Sequence, residues 1–142
     1  MDSTRRTVSA GLLSLGLSSL ARSHPGSVRD VGVVLPLATD ANAWDNLSVS
    51  CPRVLLLGPH DFRMWYYGRD AAFDRDIRLP SGRIGLARSR DGIHWKRVRG
   101  PATRGAVMDP SDDPARFDSG HVGVGDVQPD GAGFEMWYFG GD

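Results

Sequence analysis

The chain contains one cysteine, Cys51, so no disulfide can form within it. It contains one glutamate, Glu135, so any chemistry that needs paired carboxyl groups must draw mainly on aspartates. No apolar run reaches the ~18 residues of a membrane-spanning helix, and no membrane span is expected. Neither sign of charge prevails. The 17 basic and 17 acidic side chains cancel, leaving no electrostatic reason for nucleic acid or an acidic membrane as partner. The four histidines, His24, His60, His94 and His121, share no metal-ligand spacing, so neither a metal nor another cofactor is expected.

What the chain does have is glycine, 18 residues, proline, 9 residues, and aromatics that fall in clusters. That composition suits short strands joined by tight turns better than helices. The length, 142 residues, is that of one ordinary domain.

The first 30 residues read as a targeting peptide rather than as fold. No acidic residue occurs from Ser3 to Arg29, and Arg5 and Arg6 precede a mild apolar stretch, Val8 to Leu20. Ser19-Leu20-Ala21 then supplies small residues at the spacing a signal peptidase uses. The Arg-Arg pair also resembles a twin-arginine signal, and a Ser- and Arg-rich, acid-poor leader fits an organelle transit peptide equally well. An exported or organellar location follows, secreted or plastid. A short buried helix is the competing reading, and its serines and glycines make it a poor one.

An internal repeat organises residues 31–142. Trp44-Asp45-Asn46-Leu47-Ser48-Val49 aligns with Phe117-Asp118-Ser119-Gly120-His121-Val122. Val54 aligns with Val127, and Met64-Trp65-Tyr66-Tyr67-Gly68 with Met136-Trp137-Tyr138-Phe139-Gly140. The offset changes by one residue in the turn between these blocks, where a length change belongs. Four strand signals follow within one repeat: Val54 to Leu57, Phe62 to Tyr67, Arg83 to Arg88 and His94 to Val98. Turn chemistry separates them at Gly58-Pro59, Pro80-Ser81-Gly82 and Asp91-Gly92, the last pair signalling a type I′ hairpin turn. Four antiparallel strands, repeated, form the unit of a β-propeller blade. The expected fold is all-β: an incomplete β-propeller of about one and a half four-stranded blades, 45–100 and 118–142, after a disordered or helical leader. A two-sheet sandwich explains the strands without the repeat.

Gly85-Leu86-Ala87 followed by Ser89-Arg90-Asp91-Gly92-Ile93-His94-Trp95 resembles a hairpin of the five-bladed propeller glycosidases. These are the arabinanase, levansucrase and invertase group, with glycoside hydrolase families 43 and 32 the best known. The Met-Trp-Tyr strand followed by glycine resembles their second blade strand. The likeness covers roughly residues 44–142. Within it, Asp91 and Trp95 have a structural reading, as turn former and inter-blade filler.

The resemblance implies a carbohydrate substrate and hydrolysis by paired carboxylates. In such enzymes the first blade supplies an Asp as base or nucleophile. The second supplies an Asp that holds the sugar and tunes the acid, and the third supplies a Glu as general acid. Asp45 and Asp118 match the first two roles by position. The equal competing reading is that each caps a turn. Trp44 and Phe117 would stack on a sugar face, and His121 would line the pocket. Asp126 rivals Asp118 and has no acidic counterpart, since Arg53 stands at the matching position. Glu135 lies on a second strand and is not assigned as the acid. Asn46-Leu47-Ser48 is a glycosylation sequon beside Asp45. Cys51 reads as a small core filler, and the acidic stretch Asp109 to Asp113 as a solvated connector.

One and a half blades leave open edges, so self-association through those edges is expected. The expected activity is that of a glycosidase fragment, inactive alone. The alternative is a non-catalytic carbohydrate-binding or scaffold module.

Overall fold

A computed structural model describes residues 31–74 and 78–142. The expected targeting peptide, 1–30, lies outside the described residues. Six strands follow in order: β1 (Ser48–Gly58), β2 (Asp61–Asp74), β3 (Leu79–Ser89), β4 (Trp95–Val98), β5 (His121–Asp130) and β6 (Gly133–Gly141). Among the described residues there is no α-helix, and the one helical turn is a 3-10 turn at Thr103–Gly105. The chain is therefore all-β. β1 to β4 form a four-stranded antiparallel meander in sequence order, and β5 and β6 form a separate antiparallel pair. The two sheets do not close on one another.

Alternation along β2 assigns the faces of the larger sheet, because successive side chains point to opposite sides. Met64 and Tyr66 turn to one face, where they pack with Ala87, Leu35, Trp44 and Ala106. Trp65 turns to the other, where it joins Ile84 from β3 and Val122, Val124 and Val127 from β5. This second cluster is the contact between the sheets. It is completed by Leu55, Leu86, Phe134, Met136 and Tyr138. Each large apolar side chain so buried contributes about 1.5–3 kcal/mol.

β4 pairs only with Leu86 to Ser89, leaving the first half of β3 without a strand on that side. The connector after β4 takes the place of the missing strand. Ile84 N–H donates to Met108 O at 3.1 Å, and Val107 N–H donates to Ile84 O at 2.8 Å. Buried backbone groups need such partners. Asp109 reinforces the seam, accepting from Arg83 Nε at 2.9 Å and Thr103 N–H at 2.8 Å. The acidic stretch is thus anchored at its first residue rather than solvated throughout.

Three local expectations are corrected. Pro80-Ser81-Gly82 is not a turn but lies inside β3. Glycine suits position 82 because a Cβ there would come within 2.2 Å of the Tyr67 ring. Asp91-Gly92 is not a two-residue type I′ turn: β3 ends at Ser89, β4 begins at Trp95, and only Gly92 has positive φ, 75°. The loop is instead organised by the Asp91 carboxylate, which accepts from Ile93 N–H at 2.9 Å and His94 N–H at 2.8 Å. Cys51 is not core. It is exposed, with φ of 50°, where the β1–β2 register shifts between Ser50 and Arg53. That shift is a bulge, which places a residue outside the alternation.

Candidate functional site

Asp45 sits three residues ahead of β1 and is 1% exposed. Its Oδ2 accepts from the Tyr66 hydroxyl at 2.9 Å and from Arg97 Nε at 2.6 Å. Arg97 also donates to Pro36 O at 2.6 Å, tying the segment ahead of β1 down to β4. Trp44 lies on the Tyr66 ring, centroids 5.6 Å apart and planes 20° apart. Gly68 makes this approach feasible, since a Cβ there would meet Trp44 at 2.6 Å and Asp45 Cβ at 2.8 Å. Burial, and then the Asp45 charge, pushes the Tyr66 hydroxyl well above its usual range, so it remains a proton donor.

Asp118 stands in the same relation to β5 and β6. It is 3% exposed and accepts from the Tyr138 hydroxyl at 2.7 Å and Arg116 Nε at 3.1 Å. Phe117 lies on Tyr138, with centroids 5.7 Å apart and planes 27° apart. A Cβ at Gly140 would fall 2.6 Å from Asp118 Cα. The Tyr138 bond, aided by Arg116 and opposed by desolvation, holds the Asp118 carboxyl below the usual carboxylate range. The bond to Asp118 in turn raises Tyr138.

The two aspartates therefore share one construction: an aromatic before the Asp, a tyrosine beneath, a glycine at the crossing and an arginine alongside. The arginines come from different places, β4 for Asp45 and the preceding loop for Asp118. Tyr66 and Tyr138 were legible as matching positions of the Met-Trp-Tyr strand, though not as partners of the aspartates. Arg97 carried no sequence signal.

A cleft of about 190 Å³ opens beside Asp45, lined also by Trp44, Tyr66, Arg97, Arg99 and Arg104. That volume suits a single small ring more than a drug-sized ligand, which takes about 300–1,000 Å³. Arg104 is itself anchored, donating to Asn42 O at 3.1 Å and to the Asp70 carboxylate. Desolvation pushes the Asp70 carboxyl up, but the Ala72 N–H and Arg104 outweigh it and hold the group low. The cleft thus offers guanidinium donors over a floor of buried carboxylate, an arrangement fit for hydroxyl-bearing ligands.

Of the other expected site residues, Trp44 shares the Asp45 cleft, whereas Phe117 and His121 do not line it. Asp118 does not line the Asp45 cleft. Trp44 is buried at 5% exposure, with one face on Tyr66, whereas Phe117 is 54% exposed. His121 is half-buried on β5, its ring set edge-on to Phe139 at 6.2 Å, and its buried Nδ1 has no partner among the described residues. Asp126 pairs with Arg53 Nε at 2.5 Å and also accepts from Val127 N–H. Glu135 is exposed on β6 and accepts from Gln128 at 3.3 Å. The Asn46 side-chain amide donates to Ala41 O at 2.7 Å.

Among the described residues no group of three or more His, Cys, Asp or Glu side chains is placed to hold a metal ion. Nor is any helix there long and apolar enough to cross a membrane. No protein-family model, no curated protein and no solved structure matches this chain.

Proposed function

We propose that the chain is a carbohydrate-active fragment of glycoside hydrolase type, its two sheets being the first blade and the opening half of the second blade of a propeller. In this reading the Asp45 cleft binds a sugar ring but does not cleave a glycosidic bond by itself. The observation that carries it is the pair of like-built aspartates, one ahead of the first strand of each sheet. A propeller enzyme collects its carboxylates in this way, one from each blade. Hydrolysis also needs a carboxyl kept protonated as acid. Asp70 and Asp118 are both held low, which suits ionised roles. Glu135 is exposed on β6 and engaged with Gln128.

A non-catalytic binding or scaffold module is the second reading. It is favoured by the depth of both aspartates and by their engagement with tyrosine and arginine. Such a clamp fastens a loop to a sheet whether or not a ligand is present.

The test is a panel of aryl furanosides and pyranosides for turnover, with pentose and hexose oligosaccharides titrated by calorimetry. No turnover and measurable binding are expected. Arg99→Ala, which leaves the Asp45 clamp intact, should weaken binding at least tenfold. Turnover abolished by Asp45→Asn would sink the claim of inactivity, and absence of binding across the panel would sink the carbohydrate reading.

A further inference from the structure

An apolar groove adjoins the guanidinium-lined cleft at Tyr66. It has a volume of about 450 Å³ on the first face of the larger sheet, with Val49, Val54, Phe62, Met64 and Trp95 in its lining. On the other sheet, the outer face of β6 presents Trp137, 49% exposed, and Phe139, 46% exposed. Adjacent exposed aromatics of this size mark a surface that another element covers.

We infer that a second copy of this chain docks head to tail, seating Trp137 of one copy against Phe62 in the groove of the next. The contact between the two sheets of a single chain supplies the template. There, Trp65 is 5% exposed and lies 4.8 Å from Phe134, centroid to centroid. Trp137 occupies in β6 the place of Trp65 in β2, and Phe62 occupies in β2 the place of Phe134 in β6. The same holds for the valines. Val127 is fully buried in the inter-sheet contact, whereas its match in β1, Val54, is 43% exposed on the groove. Each chain thus buries one surface of each kind and leaves one of each kind open.

The two open surfaces differ from one another, so the contact is heterologous, and each added copy leaves one of each free until a ring closes. Trp137 is the anchor, as aromatic side chains in apolar pockets dominate such contacts. The inference goes beyond the carbohydrate reading and does not depend on it. Neither Val54 nor Trp137 lines the Asp45 cleft.

The experiment is sedimentation equilibrium of the full chain over a wide concentration range, with Trp137→Glu and Val54→Glu. Both side chains are exposed, and far-UV circular dichroism checks that the strands persist. The wild-type weight-average mass is expected to rise with concentration, and each variant alone to remain monomeric. An equimolar mixture of the variants should form a dimer and stop there. Trp137→Glu retains the groove and Val54→Glu retains the tryptophan, so one productive contact survives. A monomeric wild type at every concentration would overturn the inference. So would association unaffected by Val54→Glu, which means that Trp137 faces pair with each other, or a mixture that stays monomeric.

Discussion

A single hydroxyl decides how firmly the segment ahead of β1 is held. Tyr66 and Arg97 converge on one oxygen of Asp45, a residue 1% exposed. Tyr66→Phe leaves the ring that Trp44 covers but removes one of the two donors. The expected loss of stability is about 1–3 kcal/mol, the range for an under-satisfied buried polar group. Urea unfolding monitored by tryptophan fluorescence measures it, and a midpoint equal to wild type would mean that Arg97 suffices. The sequence repeat made Asp45 and Asp118 visible as a pair, because an aromatic precedes each and the spacing to the tyrosine is nearly constant. It did not make Arg97 visible. The arginine reaches Asp45 across 52 positions of chain, whereas the arginine at Asp118 stands only two positions from it. Contacts that depend on how β4 lies beside β3 are tertiary facts.

The glycines of β2 and β6 act at the level of the strand, where a loop crosses close above a sheet. At Gly140 a Cβ would stand 2.6 Å from the Cα and Cβ of Asp118. Backbone cannot rotate away as a side-chain tip can, so Gly140→Ala should cost about 1–3 kcal/mol by overpacking. The melting temperature should fall by about 4 °C per kcal/mol for a domain of this size. Gly133→Ala in the same strand is the control, since its Cβ would meet nothing nearer than Asp130 O at 3.7 Å. Strands were the most legible part of the fold. Aromatic and β-branched runs placed β1 to β4, although each of the first three extends beyond its apolar run. Turns were less legible, because Pro80-Ser81-Gly82 and Asp91-Gly92 have turn composition in either setting. Pro80 is accommodated opposite Phe73, beyond a register shift in the β2–β3 pairing, and Gly82 beneath Tyr67. Neither arrangement has a local sequence mark.

The molecule as a whole should show a plateau of stability bounded by its carboxylates and its tyrosines. Asp70, Asp109 and Asp118 are each held below the ordinary value of 3.8 in the folded state. Their contribution is complete above 3.8 and is lost as pH falls through the lower folded values. Tyr66, Tyr67 and Tyr138 are shifted the other way, above 10.0. Their contribution is complete below 10.0 and is lost as pH rises toward the folded values. Thermal midpoints measured across pH should therefore be flat between these limits and fall outside them. Asp118→Asn should make the acid limb shallower. The all-β class was legible from composition and alternation, whereas the meeting of the two sheets over Trp65 needed the structure. One further consequence concerns Ile84, whose N–H and C=O both pair with the connector rather than with another strand of the meander. Its amide proton is therefore shielded from solvent only while the connector is docked. The rate at which that proton exchanges with deuterium measures how often the chain leading into β5 lifts away, separately from any opening of the four-stranded sheet.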